Sequence, residues 1–131
     1  MMRMSKRADY GLVALKALGQ LAAEDSLSAR ELAIRHNLPA DLTPKVLARL
    51  AQAGLVEATM GKAGGYRLAK VPADITVLEV MQILDGETHL IACNDGDDVC
   101  HRFGDCAIRD PLAVLNKEVM RVLARMTVAQ L

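Results

Sequence analysis

Aromatic side chains are almost absent from this chain of 131 residues, which has two Tyr, one Phe and no Trp. The apolar fraction of 52% therefore comes mainly from Leu, Ala, Val and Met. Strands favour aromatic and β-branched residues, whereas Leu, Ala and Met are strong helix formers, so this composition favours helices packed on helices. The length is that of about one domain with its own hydrophobic core.

Long apolar runs are also missing. No stretch reaches the roughly 18 residues that a membrane span needs, and the N-terminus lacks the apolar core of a signal peptide, so we expect a cytoplasmic protein without membrane contact. No grouping of nucleophile, base and orienting residue is evident either. The glycines at 61, 64 and 65 are not followed by a helix start that could hold phosphate. We therefore expect no enzyme.

The chain carries no formal net charge, because 16 basic residues balance 16 acidic ones. The balance hides a division, however. Residues 1–70 carry eleven Lys or Arg against six Asp or Glu, a net +5, whereas residues 71–131 carry five against ten, a net −5. A basic half can follow a phosphate backbone, although it can equally be a solvated charged face. We expect a first unit at residues 1–72 and a second at 73–131, packed together as one body.

The first seventy residues contain three predicted helices. Leucines recur at helical spacing in the first, which we expect to stop near residues 24–26. A capping box from Ser28 to Glu31 opens the second, which runs to about His36. The third has Asp41 as its expected cap, and Gly54 ends it. The apolar residues predict that Val46, Leu47 and Leu50 form the buried stripe of this third helix. Pro44 is tolerated only because it lies in the first turn.

Two short predicted strands follow, at residues 55–59 and 66–68, and a glycine-rich tip joins them. Three helices and a hairpin form a winged helix-turn-helix, although short helices with a hairpin also occur in protein–protein modules. In the DNA-binding architecture the third helix enters the major groove. Thr43 and Lys45, expected to be exposed at its start, are candidates for reading bases. Lys62 and Arg67 of the wing are then candidates for phosphate contact.

The second half contains two predicted helices. A capping box from Thr76 to Glu79 opens one, and Asp85-Gly86 ends it. The other starts near Pro111 and carries apolar residues at alternating spacings of three and four: Leu112, Leu115, Val119, Val122 and Met126. Such a stripe either holds a homodimer or packs on the core of its own chain. Helix-turn-helix proteins commonly bind two half-sites as dimers, which favours the first.

All three cysteines of the chain, Cys93, Cys100 and Cys106, lie in a segment rich in Gly and Asp without periodicity, which predicts a loop. An odd number of thiols in a reducing compartment argues against a disulfide framework. The closely paired cysteines of zinc ribbons are also lacking. From the residues alone, an iron-sulfur cluster, a zinc site and a redox-active thiol switch all stay open.

Four stretches of the sequence form a recognisable set: the basic start with Asp9-Tyr10, the wing GKAGGYRLA at 61–69, ITVLEVMQILDGE at 75–87, and the cysteine segment. Together they resemble the Rrf-type winged-helix transcription regulators, in particular their IscR-like and NsrR-like iron-sulfur branches. The resemblance spans essentially the whole chain. It implies a mainly α fold with a small β-hairpin, namely a winged helix-turn-helix plus a long C-terminal dimerisation helix. It also implies that Cys93, Cys100 and Cys106 hold an iron-sulfur cluster, 2Fe-2S or 4Fe-4S.

The fourth ligand is open because the sequence departs from the family pattern. Six residues separate Cys93 from Cys100 where five are usual, and Arg109 stands where one branch has a histidine ligand. Another branch uses an aspartate near the N-terminus of the partner subunit, and Asp9 matches that position. His101 is the second choice. Asp9 can instead cap the first helix or pair with Arg7, and His101 can be an ordinary loop residue.

The resemblance implies a homodimer that binds double-stranded operator DNA and changes affinity with its cluster. The genes implied are those of iron-sulfur assembly or of iron and redox stress. A basic N-terminal arm would lie near the DNA: Arg3, Lys6 and Arg7. The alternatives are a zinc- or thiol-based redox-sensing regulator and, in another class, an iron-sulfur electron carrier or cluster-transfer protein. A carrier needs neither a basic wing nor a recognition helix.

Overall fold

The computed structural model describes residues 3–61, 64–88, 94–95, 98–99, 101–102 and 104–131. Within these ranges the chain forms five α-helices, two small antiparallel strand pairs and 3-10 turns at Pro72–Asp74 and Val128–Gln130. The helices and strands in chain order are α1 Lys6–Gly19, α2 Ala29–His36, α3 Thr43–Gln52, β1 Val56–Thr59, β2 Gly65–Leu68, α4 Val77–Asp85, β3 Asn94–Asp95, β4 Asp98–Val99 and α5 Arg109–Arg125.

Polar side chains start three of the helices, because the first amides of a helix have no partner within it. The Ser5 hydroxyl accepts from the amide of Ala8 at 3.0 Å and so caps α1. Ser28 caps α2, and Thr76 caps α4 by accepting from the amide of Glu79 at 3.1 Å. Two of the three N-caps predicted from the sequence, Ser28 and Thr76, are thus confirmed.

Two predicted boundaries are wrong. Asp41 does not cap α3. Leu42 occupies the N-cap position and makes no side-chain hydrogen bond, and backbone hydrogen bonds join the preceding turn to the helix. The amide of Thr43 donates to the carbonyl of Pro39 at 3.0 Å, which continues the helical pattern from that turn. The first helix ends at Gly19 rather than near residues 24–26, although Leu21 still packs on the core.

One hydrophobic core joins α1, α3 and α4 with residues from both ends of the chain. Its fully buried large side chains are Leu15, Leu32, Leu47, Leu50, Leu55, Ile75, Val56 and Val80. Helix α1 approaches α4 closely at Gly11, where an added Cβ would lie 2.5 Å from Leu84 Cδ1. A side chain at residue 11 would force the buried Leu84 side chain to shift, so Gly11 suits the close packing of the two helices.

The wing pairs β1 with β2 in antiparallel register, with Glu57 opposite Arg67. The wing glycines were expected to supply positive φ angles, and Gly61 does so with φ +108°. Gly65 has a different role. The chain at Leu27 bridges to Tyr66, and an added Cβ on Gly65 would lie 2.5 Å from the Leu27 carbonyl carbon. A side chain there would push the wing away from the helical core.

The end of the chain returns to the core. The amide of Val77 donates to Met126 at 2.9 Å, and the amide of Val128 donates to Ile75 at 2.9 Å, which buries Val128. Within the described residues, no helix is long and apolar enough to cross a membrane. The division into units at residues 1–72 and 73–131 stays a prediction.

Candidate nucleic-acid interface and cysteine segment

The outward face of α3 follows from its buried face. Val46, Leu47 and Leu50 are buried in the core. With about 3.6 residues per turn, the opposite side of the helix carries Lys45, Ala48 and Gln52, all of which are exposed. A winged helix-turn-helix presents this side to DNA. Lys45 was predicted from the sequence, whereas Ala48 and Gln52 were missed, although the spacing of the buried stripe could have indicated them.

Thr43 does not belong to this face, and its prediction as an exposed base reader was wrong. Its side chain is 1% exposed, and its hydroxyl donates to the carbonyl of Pro39 at 2.7 Å. Thr43 precedes Val46 by three residues and Leu47 by four, which places it on the buried face of the helix. The hydroxyl closes the turn between α2 and α3 and cannot reach a base edge.

A groove of about 460 Å³ runs beside the outward face of α3, between it and the start of α1. Three cations line it, namely Arg7, Lys45 and Arg49, beside apolar walls that include Leu42 and Leu84. Positive side chains from two helices around one groove raise the local potential for an anionic backbone. Arg49 was missed in the sequence, because its part in the groove depends on how α1 and α4 pack against α3.

The wing contributes one described cation. Arg67 Nε lies 2.6 Å from Glu57 Oε1 on the neighbouring strand, and both side chains are partly exposed. Arg67 therefore faces solvent with its charge partly satisfied, which reduces its attraction for phosphate. Lys62, the other predicted wing contact, lies outside the described residues. The proposed DNA roles of both residues stay predictions.

The basic N-terminal arm is exposed at Arg3, Lys6 and Arg7. Asp9 lies in the first turn of α1, and its carboxylate meets Lys6 Nζ at 3.9 Å. It therefore pairs with Lys6 rather than with Arg7, and Ser5, not Asp9, caps the helix. Ion pairs this exposed hold their partners weakly, so the Asp9 carboxylate can exchange Lys6 for another ligand.

The cysteine segment is described only in part. Cys93 and Cys100 lie outside the described residues, whereas Cys106 is half-buried three residues before α5. The amide of Arg109 donates to the carbonyl of Cys106 at 3.4 Å, which joins this cysteine to the helix start. His101 is exposed. Among the residues that can be described, no three His, Cys, Asp or Glu side chains group closely enough to hold a metal ion.

The predicted apolar stripe on α5 faces partly outward. Leu115 is 49% exposed and Val122 is 63% exposed, Met126 is also exposed, and Leu112 and Val119 are half-buried against the chain. Ile108 lies four residues before Leu112 and is exposed, so it extends the same stripe by one step. The alternating spacing could have indicated Ile108 in the sequence.

The sequence pattern of the Rrf2 family, described as iron-dependent transcriptional regulators, matches residues 4–131. The chain belongs to the Rrf2 family. The resemblance inferred from the wing and the cysteine segment is therefore confirmed. An Rrf2 protein is a transcriptional regulator and not an enzyme, which agrees with the class predicted from the sequence and sets aside the electron-carrier alternative.

Named relatives cover most of the chain. NsrR, a transcriptional repressor of helix-turn-helix type from Streptomyces coelicolor, is 31% identical over 131 residues, which cover 99% of this chain and 88% of that protein. IscR, a regulator of the same type from Cereibacter sphaeroides, is 34% identical over 86 residues, covering 64% of this chain and 56% of its own.

Solved Rrf2 structures share the fold. CymR, the global cysteine regulator of B. subtilis, superimposes with a TM-score of 0.82 at 25% identity and covers 99% of this chain and 95% of its own. IscR of T. potens gives a TM-score of 0.75 at 27% identity, covering 98% and 85%. The predicted winged helix-turn-helix with a long C-terminal helix is thereby confirmed. Of these relatives only CymR is named for an effector, as a cysteine regulator, and NsrR and IscR are named as transcriptional regulators.

Proposed function

We propose that this Rrf2 protein is a homodimeric transcription factor whose affinity for operator DNA depends on an iron-sulfur cluster, 2Fe-2S or 4Fe-4S. One observation carries the proposal: three cysteines, and all that the chain has, occur between residues 93 and 106. Thiolates are soft ligands suited to iron-sulfur clusters. The regulated genes would be those of iron-sulfur assembly or of iron and redox stress.

The cluster would be held by Cys93, Cys100 and Cys106. Cys106 supports this assignment because its backbone is tied to the start of α5 and its thiol is half-buried rather than enclosed in the core. A ligand at a helix start has a defined position and is still accessible. When bound, such a cluster can change oxidation state and react with small oxidants, which would give the protein its signal.

The fourth ligand would be Asp9 of the partner subunit, with His101 as the second choice. Asp9 is suitable because its carboxylate is half-exposed and pairs only at long range with Lys6. A carboxylate oxygen binds iron less firmly than a thiolate, which would make the site labile and suited to sensing. The arm that carries Asp9 also carries Arg3 and Arg7, so loss of the cluster would release cations close to the DNA.

The dimer would form through α5, along the exposed stripe that runs from Ile108 to Met126. Two copies of one apolar face are self-complementary about a twofold axis, and a dimer of winged helices reads two half-sites of a pseudo-palindrome. Each subunit would present Lys45, Ala48 and Gln52 to the major groove. Arg67 and Lys62 of the wing would contact the backbone beside it.

The decisive experiment is anaerobic purification followed by visible absorption and analysis of iron and acid-labile sulfide. We expect a coloured protein whose chromophore is lost when any one of the three cysteines is changed to Ala. A colourless wild-type protein without sulfide would contradict the cluster. Asp9→Ala should shift the spectrum or shorten the lifetime of the chromophore in air. If His101→Ala does so and Asp9→Ala does not, the fourth ligand belongs to the same chain.

A second candidate is a regulator that senses through its thiols or a bound zinc ion. The similarity to CymR, a cysteine regulator with a closely matching fold, favours keeping it. The same purification separates the two possibilities. Zinc without sulfide would indicate a zinc site. A metal-free protein whose operator affinity changes on reversible oxidation would indicate a thiol switch.

A further inference from the structure

Three consecutive residues at the end of α4 each contact a different part of the DNA-binding unit. The carbonyl of Ile83 accepts from Arg49 Nη2 at 3.0 Å, which connects α4 to the recognition helix α3. Leu84 packs against Gly11 in the middle of α1. The carboxylate of Asp85 accepts from the hydroxyl of Ser5, the residue that caps α1, and from its amide at 3.4 Å.

The hydrogen bond from Arg49 places a positive charge at the carboxyl end of α4. The carboxyl end of a helix carries partial negative charge, which basic side chains in the last turn usually balance. Helix α4 has no basic residue in its last turn and ends instead on the acidic Asp85. Arg49 supplies the missing positive charge from α3, and Ser5 supplies hydrogen bonds to the Asp85 carboxylate.

These contacts fix the geometry of the DNA-binding surface. Arg49 lines the cationic groove beside Lys45, and Ser5 immediately precedes Lys6 and Arg7 of the basic arm. Packed interiors transmit small shifts rather than absorb them, and Leu84 packs directly against Gly11 where α1 and α4 meet. A displacement of the last turn of α4 would therefore move the recognition helix and the arm together.

The same turn leads into the cysteine segment. Gly86 follows Asp85 with φ +81° and ψ −156°, a conformation that is essentially restricted to glycine, and its amide donates to Gln82 at 2.9 Å. The direction in which the chain leaves α4 is thus defined. Cys93 follows only seven residues later in the sequence.

We propose that the last turn of α4 couples the state of the cysteine segment to DNA binding, with Arg49 and Asp85 as positioning residues. The inference rests on the proposed function for its signal, but its contacts are independent of which group the cysteines hold. Arg49 would hold α3 in the orientation that DNA requires, and Asp85 would do the same for the start of α1.

The test compares operator Kd values of the cluster-containing and cluster-free protein in two variants. Asp85→Ala removes the bonds to Ser5, and Arg49→Lys keeps the charge for phosphate but loses the guanidinium geometry. Coupling between two sites typically changes affinity by about 5- to 150-fold. In the wild-type protein we expect the Kd values of the two cluster states to differ by a ratio in this range. In each variant we expect this ratio to fall to about threefold or less. Arg49→Lys should leave the salt dependence of binding unchanged, because the charge stays.

Two controls match these changes. Asp74→Ala removes an exposed carboxylate from the 3-10 turn before α4, and Arg35→Lys makes the same exchange at an exposed ion pair on α2. Both should keep the wild-type ratio, and unchanged thermal unfolding should show that all four variants are folded. If the Kd values of the two cluster states differ in the wild-type protein, and Asp85→Ala and Arg49→Lys keep that difference as the controls do, the proposed coupling is wrong.

A second readout needs no cluster. Coupling is reciprocal, so operator binding should slow hydrogen exchange at the amide of Gly86 in the wild-type protein and not in Asp85→Ala. Protection in the wild type together with equal Kd values for the two cluster states would support the coupling and contradict the proposed signal. If DNA binding leaves exchange at Gly86 unchanged in the wild type, the coupling itself is overturned.

Discussion

Helices α4 and α5 differ in how they use their apolar residues. Helix α4 is nine residues long and buries four of them, whereas α5 is seventeen residues long and buries none. Both are amphipathic, but α4 packs against both α1 and α3, while the described contacts of α5 are mainly with α4. The apolar face of α4 is covered within one chain, and that of α5 is covered only along one edge.

Amphipathic spacing therefore does not by itself identify the surface that covers a helix. Most of the stability of a protein helix comes from packing its apolar face. In α4 that packing is supplied by the core. In α5 the stripe through Leu115 and Val122 is open along its length, and a second copy of the same stripe would bury it.

The largest expected effect concerns this open stripe. Val122→Glu should convert the dimer to monomer and weaken operator binding, because an unpaired charge in a desolvated interface costs about 3–5 kcal/mol. Val114→Glu is the matched control, since Val114 is 62% exposed on another face of the same helix. Sedimentation should show monomer for the first variant and dimer for the second. A dimer that survives Val122→Glu would mean that the stripe does not form the interface.

A substitution in the buried core should lower the stability of the fold. Leu47→Ala removes a fully buried side chain from the core and should lower the free energy of unfolding by about 2–5 kcal/mol. Denaturant unfolding measures the loss, and Ile34→Ala, at an exposed position on α2, should change it little. Equal effects of the two changes would contradict the position of the core.

The outward face of α3 should control which DNA is bound. Gln52→Ala should alter the preference among operator variants, because loss of a good base contact costs about 1–3 kcal/mol at one position. Lys45→Ala should weaken binding, either uniformly with a salt slope reduced by about one, or selectively if the lysine reads a base. Binding assays over a set of operator mutants distinguish the two. Unchanged affinity and preference in both variants would remove α3 from the interface.

The smallest effect is expected in the wing. Glu57→Gln removes the negative charge that lies 2.6 Å from Arg67 Nε and should free that arginine for phosphate. We expect operator affinity to rise about threefold and its salt dependence to steepen, since surface ion pairs contribute only about 0–1 kcal/mol. Glu24→Gln, another exposed carboxylate, is the control. A weaker complex after Glu57→Gln would show that the pair orients Arg67 for DNA rather than occupying it.

Much of this fold could be read in the sequence because its signals are local. The N-caps Ser28 and Thr76 bond to amides three residues away, and Gly54 takes the positive φ angle that ends α3. The wing glycines and the stripe on α5 depend likewise on spacing along one segment. The candidate metal ligands Cys93 and Cys100 and the wing residue Lys62 lie outside the described residues, so their assignment still rests on the sequence.

Other features depend on contacts between segments that are distant in the sequence, so only the tertiary structure shows them. A polar threonine at a helix start is expected to be exposed, but the turn at Pro39 and the core beneath α3 bury Thr43. The site of Arg49 is defined by a carbonyl 34 residues later in the chain, and that of Ser5 by a carboxylate 80 residues later. A sequence pattern reports which face of a helix is apolar, whereas only packing fixes which helix covers that face and which polar groups meet at its end.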